Sequence, residues 1–419
     1  MSNTGRGVDV LVIGGGVIGV CAAYYLAQSG RSVTLVERDE ICAGASYGNA
    51  GLLVPSHAVP LAAPGVVLKG ITWMFNSASP FYIKPRLNAE MISWLWRFWR
   101  HCTSRHVKKA SPVIRDLSLA SAQLFEDLAA IEGLDFDFEK KGALYAYRTQ
   151  DGLKSATAEV QHLQDLGIQA SVLTPEEMQP LNPELQMQVE GGIFYPQDCH
   201  LDPARFVRQL AQHLTQKGAL ILPDTEVLAL ETSSDRITAV RTTRGDFVAE
   251  QIILAGGSWS PEIVRSLGMK LPIQPAKGYS ITVKRPNLSP TVPTMLSESK
   301  VAVTPIGDLL RFAGTLELAG LDLSVNMRRV KAILRAVPLY LPQIDPDSLD
   351  LIEIWRGPRP CTPDGLPFLG RTHKNLIVAA GHAMIGITLA PISGKLIAQI
   401  VTEEKPDIDL SPLRVERFT

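Results

Sequence analysis

Three glycines, Gly14, Gly16 and Gly19, stand in the spacing GxGxxG within VIGGGVIG. They follow the apolar run Val8 to Ile13 and open the helix-forming run Val17 to Gln28. In such a turn the first glycine lets the chain reverse, the second lets the backbone approach a pyrophosphate, and the third lets helix pack on strand. The helix start offers free amides and partial positive charge, so the spacing serves a diphosphate. Glu37 ends the next apolar run, Ser32 to Val36. A carboxylate there accepts from ribose hydroxyls and repels a 2′-phosphate, which disfavours NADP. Val17, Ile18 and Arg38 join this expected nucleotide set.

NAD and FAD both fit that fingerprint. The stretch Cys42 to Gly51 (CAGASYGNAG) is dense in small residues just after the second strand. A loop of Ser46, Gly48, Asn49, Ala50, Gly51 and Leu52 could run along an extended dinucleotide toward a flavin ring, which a nicotinamide enzyme does not need. An ordinary flexible loop is the alternative. Two later strand-then-glycine segments, Gln251 to Leu254 and Asn375 to Ala379, return to the same sheet and bring Ala255, Gly256, Trp259 and Gly381. Val227 is counted with them.

A second constellation lies in WRGPRPCTPDGLPFLG, residues 355–370, whose prolines and glycines read as a rigid turn around Gly357 and Arg359. An arginine held there offers a planar fork to a substrate carboxylate. A structural carboxylate is the competing partner. Downstream, GHAMIGITLAP leads into the helical run Ile392 to Glu403. Amides near Ile385, Gly386, Ile387 and Thr388 would face an anion or a reduced flavin. His382 invites a catalytic role, but hydride chemistry demands no acid or base there, and a packed or flavin-touching histidine serves as well.

The elements that must position these groups belong to a large α/β chain. At 419 residues it exceeds the ~250 to 300 that one hydrophobic core usually serves, so two domains are expected. Residues 1–84, 191–268 and 346–419 read as a discontinuous dinucleotide-binding domain. Residues 85–190 and 269–345 differ in texture, with amphipathic helices such as Ala110 to Glu132 and alternating strands such as Tyr279 to Val283 and Leu309 to Gly314, and read as a substrate domain inserted twice. Forty-one basic against forty-two acidic residues provide no field for nucleic acid. Five scattered cysteines without a CxxC pair argue against a disulfide framework and a zinc site. With no leader-like segment before Val8 and no apolar run of ~18 residues, a cytoplasmic protein is expected.

Four of six tryptophans, Trp73, Trp94, Trp96 and Trp99, fall in a short stretch, with Arg97, Arg100, Arg105, Lys108 and Lys109 close behind. On a helix Met91, Trp94, Leu95, Phe98 and Trp99 form one stripe, with Ile92 and Trp96 off it. Aromatics beside cations suit a membrane interface or a quinone-accepting surface, so residues 73–100 could rest on the inner face of the cell membrane. Burial between the domains is the alternative.

In order, VIGGGVIG with Glu37, SYGNAGL, APGVVLKGITWMF, PAKGYSITV, RFAGTLELAG, RPCTPDGLPFLG and GHAMIGITLAPISGKLIA resemble the flavin-dependent D-amino acid dehydrogenase family, within the wider group of glycine and sarcosine oxidases. The resemblance runs from near residue 8 to near residue 400. It implies a Rossmann-type FAD-binding domain with an inserted antiparallel β-sheet substrate domain, as in glycine oxidase. It also implies oxidation of a free D-amino acid by hydride transfer from Cα to flavin N5, then hydrolysis to a 2-oxo acid and ammonia. Electrons would pass to a quinone or an artificial dye. Arg359 matches the arginine that grips the substrate carboxylate, and Tyr279 matches the tyrosine of KGYS, whose hydroxyl would lie near the same group. Cys361 stands where many relatives have Met. Its neighbours do not match the covalent-flavin pattern of sarcosine oxidase-like relatives, so noncovalent FAD is expected. An oxidase using dioxygen, a D-proline or hydroxyproline dehydrogenase and an electron-relay subunit remain open. An NAD-linked enzyme is weakened by the lack of a second GxGxxG.

Overall fold

The structure, a computed structural model, describes residues 5–67, 70, 80–84 and 88–418. Arg6–Ile13 pairs in parallel with Val33–Val36 on one side and Phe247–Leu254 on the other. Its exposure falls along the strand until Val10 to Ile13 are buried. A strand flanked on both edges and covered on both faces can be apolar throughout, which is why this run shows no alternation. Leu220–Leu222 and Leu376–Ala380 extend the parallel sheet at either end.

Val17–Gln28 leaves the glycine turn as a helix apolar nearly all round, with Val20, Cys21, Ala22 and Leu26 buried. It crosses Ala390–Val401 closely: a Cβ at Gly394 would sit 2.6 Å from the Cys21 carbonyl. The expected strands and helices of this layer appear within a few residues of their sequence bounds.

The second sheet runs, by neighbours, Leu351–Cys361, Gln274–Lys284, Leu309–Leu318, Val301–Ile306, Thr294–Leu296, Ala143–Tyr147, Gly191–Tyr195 and Ser171–Leu173, with Phe81–Ile83 beside Leu309–Leu318. Three of these strands depart from the sequence division. Phe81–Ile83, Gly191–Tyr195 and Leu351–Cys361 fall in segments assigned to the nucleotide domain, yet their backbone groups find partners in the second sheet. The expected rigid turn at 355–370 is also mostly strand. Trp355 to Cys361 pairs residue for residue with Gln274 to Ser280, and Pro358 and Pro360 are accommodated because this is the outermost strand.

The helix expected at 110–132 spans Ser104–Ala129, and Ile114, Leu117, Phe125 and Leu128 bury into the first core with Val10, Leu35 and Leu396. Its stripe therefore serves the nucleotide layer, not the substrate layer. In Ala89–His101, Met91 and Trp94 are buried while Ile92, Trp96 and Trp99 are 57, 53 and 61% exposed. Trp99 thus leaves its expected stripe, because positions 92, 96 and 99 share a helix face. Trp73 lies outside the described residues. Among the described residues no helix is long and apolar enough to cross a membrane.

Candidate active site

A cavity of about 700 Å³ is lined by both sheets. The strand–turn–helix unit contributes Gly14, Gly16, Val17 and Ile18. Gly14 has φ +111° and lies against the Ala255 carbonyl, a conformation and a closeness that suit only glycine. Gly19 does not line the cavity: a Cβ there would overlap the Gly14 carbonyl, so it sets helix–strand contact as expected. Among the described residues a Cβ at Gly16 would meet only Ser46 Oγ, at 3.4 Å, with the space otherwise open. The helix has no side-chain cap at Gly16 and no acid in its first turn. Its one first-turn partner of that kind is Ser46, whose Oγ accepts from Val17 N at 2.9 Å.

Glu37 is locked at one end of the cavity, with Oε2 accepting from Gly15 N at 2.6 Å and Oε1 from Asp39 N at 3.0 Å. Arg38 lies 4.7 Å above the Trp259 ring. Val227, Ala255 and Gly256 complete this end.

The glycine-rich loop divides. Ser46 and Asn49 line the cavity, whereas Gly48, Ala50, Gly51 and Leu52 do not. Gly48 lies against the Trp355 indole, Gly51 has φ +72° and its carbonyl oxygen accepts from Leu201 N, and Leu52 pairs with His200. These residues hold the loop in place. Arg311, 5% exposed, clamps it by donating Nη1 to Asn49 O at 2.9 Å.

At the other end, Arg359 lines the cavity and donates Nη1 to Thr315 O at 2.9 Å. Among the described residues no carboxylate lies within ion-pair distance of it. The structural-carboxylate alternative has no support, and burial pushes the guanidinium's pKa down. Gly357 and Trp355 are neighbours on the same strand, and a Cβ at Gly357 would overlap the Trp355 ring.

Tyr279 is not brought to Arg359. Cross-strand partners share a face, and the register pairs Ala276 with Arg359 and Gly278 with Gly357, so the alternate residues Lys277 and Tyr279 face the other side. There the Tyr279 hydroxyl donates to Glu317 Oε2 at 3.0 Å and accepts from Asn326 N at 3.3 Å. Burial and Glu317 raise its pKa. It does not line the cavity.

His382 lines the cavity, 3% exposed, with Nε2 3.0 Å from Ser393 Oγ. Burial lowers its pKa to about 3, so it is neutral near pH 7. Gly386 and Ile387 line the cavity, but Gly381, Ile385 and Thr388 do not. The Ile385 amide is taken by His382 O, and Thr388 Oγ1 accepts from Val54 N. Gly381 has φ +84° and turns the chain against Thr362. Cys361 is buried outside the lining, with its thiol pushed up to about 12. Sequence reading missed Thr225, Ser258, Leu323, Ala380 and Met384 in the lining. Met384 lies within GHAMIG but was not singled out there, and the other four arrive through strand ends or turns fixed only by the tertiary fold.

Residues 9–400 match the family described as FAD dependent oxidoreductase. The chain belongs to this family. D-amino acid dehydrogenases of Granulibacter bethesdensis and Bradyrhizobium diazoefficiens are 33% and 34% identical to it, each over 98% of this chain and 99% of the relative. Glycine oxidase from Geobacillus kaustophilus shares the fold, with a TM-score of 0.80 at 24% identity, over 99% of this chain and all of that one.

As an FAD-dependent oxidoreductase the chain has residues that fit its cofactor. The open space beside Gly16 and the uncapped helix start suit the pyrophosphate, and Glu37 suits a ribose.

Burial also predicts a loss of stability toward acid. His382, His57 and His200 are held at about 3, 4 and 4, below the ordinary 6.5. A histidine lowered by folding contributes stability above pH 6.5 that is lost as pH falls toward its folded value, because only the unfolded chain takes up the proton. Asp198, raised to about 7, works oppositely between pH 3.8 and 7. Three groups outweigh one, so Tm should fall steadily from pH 6.5 to pH 4. Scanning calorimetry at fixed ionic strength checks this, and a flat or rising Tm would refute it.

Proposed function

We propose that the protein oxidises free D-amino acids to 2-oxo acids and ammonia and passes the electrons to a quinone rather than to dioxygen. The observation that carries this reading is Arg359, a guanidinium on the cavity wall with no acidic partner among the described residues. A substrate carboxylate supplies the missing countercharge. Full-length similarity to D-amino acid dehydrogenases supports the handedness and the acceptor class.

Bound FAD, held noncovalently, supplies the acceptor for the hydride that leaves the substrate Cα. Arg359 fixes the carboxylate and thereby orients Cα. His382, neutral and tied to Ser393, shapes the wall without moving a proton. Water converts the imino acid to 2-oxo acid and ammonia.

The exposed face of Ala89–His101 supports a peripheral membrane contact near the quinone. Ile92, Trp96 and Trp99 stand out from it, Arg100 stacks 4.8 Å from the Trp96 ring, and Arg105, Lys108 and Lys109 are exposed close by. The inner face of that helix packs against the strand that carries Arg359, with Trp94 Nε1 donating to Cys361 O at 3.0 Å.

Anaerobic spectra of the purified protein with a panel of D- and L-amino acids test the reading. Bleaching by D-amino acids, with reoxidation faster by a quinone analogue in anionic vesicles than by air, is expected. Equal turnover in air would favour the oxidase, and bleaching by L-amino acids alone would overturn the proposed substrate.

A further inference from the structure

Two residues beside Arg359 stand in each other's expected place. Thr315 has φ +68°, a left-handed conformation that a β-branched residue adopts only under constraint and that normally calls for glycine. Gly278 lies opposite it, is not at positive φ, and so needs no glycine for its backbone. Register explains both. Lys277 pairs with Glu317 and Tyr279 with Gly314, so Thr315 and Leu316 together oppose Gly278 in a β-bulge. Bulges re-aim groups next to functional sites, and their left-handed position is usually glycine. Here the bulge carbonyl, Thr315 O, accepts Arg359 Nη1 at 2.9 Å. The guanidinium fills the volume that a side chain at 278 would take: a Cβ there would overlap Nη1, Cζ and Nη2, the three nearest atoms to it.

We propose that Gly278 and the bulge at Thr315 are positioning residues, which seat the Arg359 guanidinium so that its remaining N–H groups meet the substrate carboxylate. The inference rests on the reading of Arg359 given above. Strain at a functional site persists only when its surroundings over-determine it, and the residues flanking this bulge are held by strand pairing, Gly314 to Tyr279 and Val301, Leu316 to Phe81 and Glu317 to Lys277. The glycine supplies the slot and the strained carbonyl fixes one edge of the fork. An arginine without an acid to hold it would otherwise sample several rotamers, and a bidentate contact tolerates little misplacement.

Gly278→Ala tests this directly. The overlapping atoms are the far end of a flexible side chain, so the fold should tolerate the methyl while the guanidinium is displaced. FAD content and Tm should stay near parent values. KM for the amino acid should rise by about 10²-fold with kcat changed less, as for loss of a binding contact. Calorimetric affinity for pyruvate, an unoxidised carboxylate, should fall by a similar factor.

The decisive comparison is Gly278→Ala in the Arg359→Ala background. Because Gly278 acts through Arg359, the second substitution should change neither KM nor pyruvate affinity by more than about 3-fold, whereas independent sites add. Additive losses would overturn the proposal. If Gly278→Ala alone fails to fold, a soluble double variant supports the slot and an insoluble one refutes it. If Arg359→Ala binds pyruvate and substrate like the parent, the carboxylate reading fails first and takes this inference with it. An impaired Arg359→Ala beside an unimpaired Gly278→Ala sinks the positioning role alone.

Discussion

Arg359→Ala is expected to lower kcat/KM for a D-amino acid by about 10² to 10³-fold while FAD content stays unchanged. The charge stands on the cavity wall with one neutral acceptor among the described residues, Thr315 O, and burial already lowers its pKa. The site therefore carries an unrelieved desolvation penalty that an incoming carboxylate offsets. Charge-assisted hydrogen bonds contribute about 1.5 to 3 kcal/mol each, and removing one partner of a buried pair costs roughly 3 to 5 kcal/mol, which sets the range. Arg359→Lys should recover only part, since a point charge cannot reproduce the planar fork. Stopped-flow flavin reduction at low substrate concentration is the measurement. An alanine variant reduced as fast as the parent would make Arg359 structural. Arg311 would not replace it, because its Nη1 is tied to the loop carbonyl of Asn49 and its Nε to Thr282 Oγ1.

The nucleotide half of this site was legible in the chain because its signals are local. Gly14, Gly16, Gly19 and Glu37 are constrained by one βαβ unit, and that unit forms with strand and helix bounds close to those read from the sequence. Tyr279 misled for the opposite reason. Its neighbourhood to Arg359 depends on which face of a strand it takes, and a period of two changes sides with every residue. Only the cross-strand register, Gly278 with Gly357, decides it. The prolines at 358 and 360 likewise read as a turn until the strand is seen to lie at a sheet edge. The helix Ser104–Ala129 shows an amphipathic stripe plainly, but a stripe does not say which core it joins. The bulge at Thr315 has no sequence mark at all, since threonine is an ordinary strand residue.

Gly16→Val should abolish FAD binding and leave the fold intact, and the neighbouring glycine supplies the contrast. Gly16 has φ −75° and ψ 177°, which valine adopts without strain, and among the described residues a Cβ there would meet only Ser46 Oγ, at 3.4 Å. The side chain would project into the open space where the helix start meets the cavity, so it would collide with a pyrophosphate and not with protein. At Gly19 the same substitution would drive a side chain into the Gly14 carbonyl, and loss of the fold is expected instead. Flavin absorbance per protein and far-UV circular dichroism separate the two outcomes. A ligand that binds only the folded state raises Tm by mass action, so the Tm of Gly16→Val should match that of the parent stripped of FAD, and added FAD should raise the second but not the first. A colourless but folded Gly16→Val beside an unfolded Gly19→Val would assign the second glycine to the cofactor and the third to packing. Stoichiometric flavin in Gly16→Val would mean that the pyrophosphate runs elsewhere in the cavity.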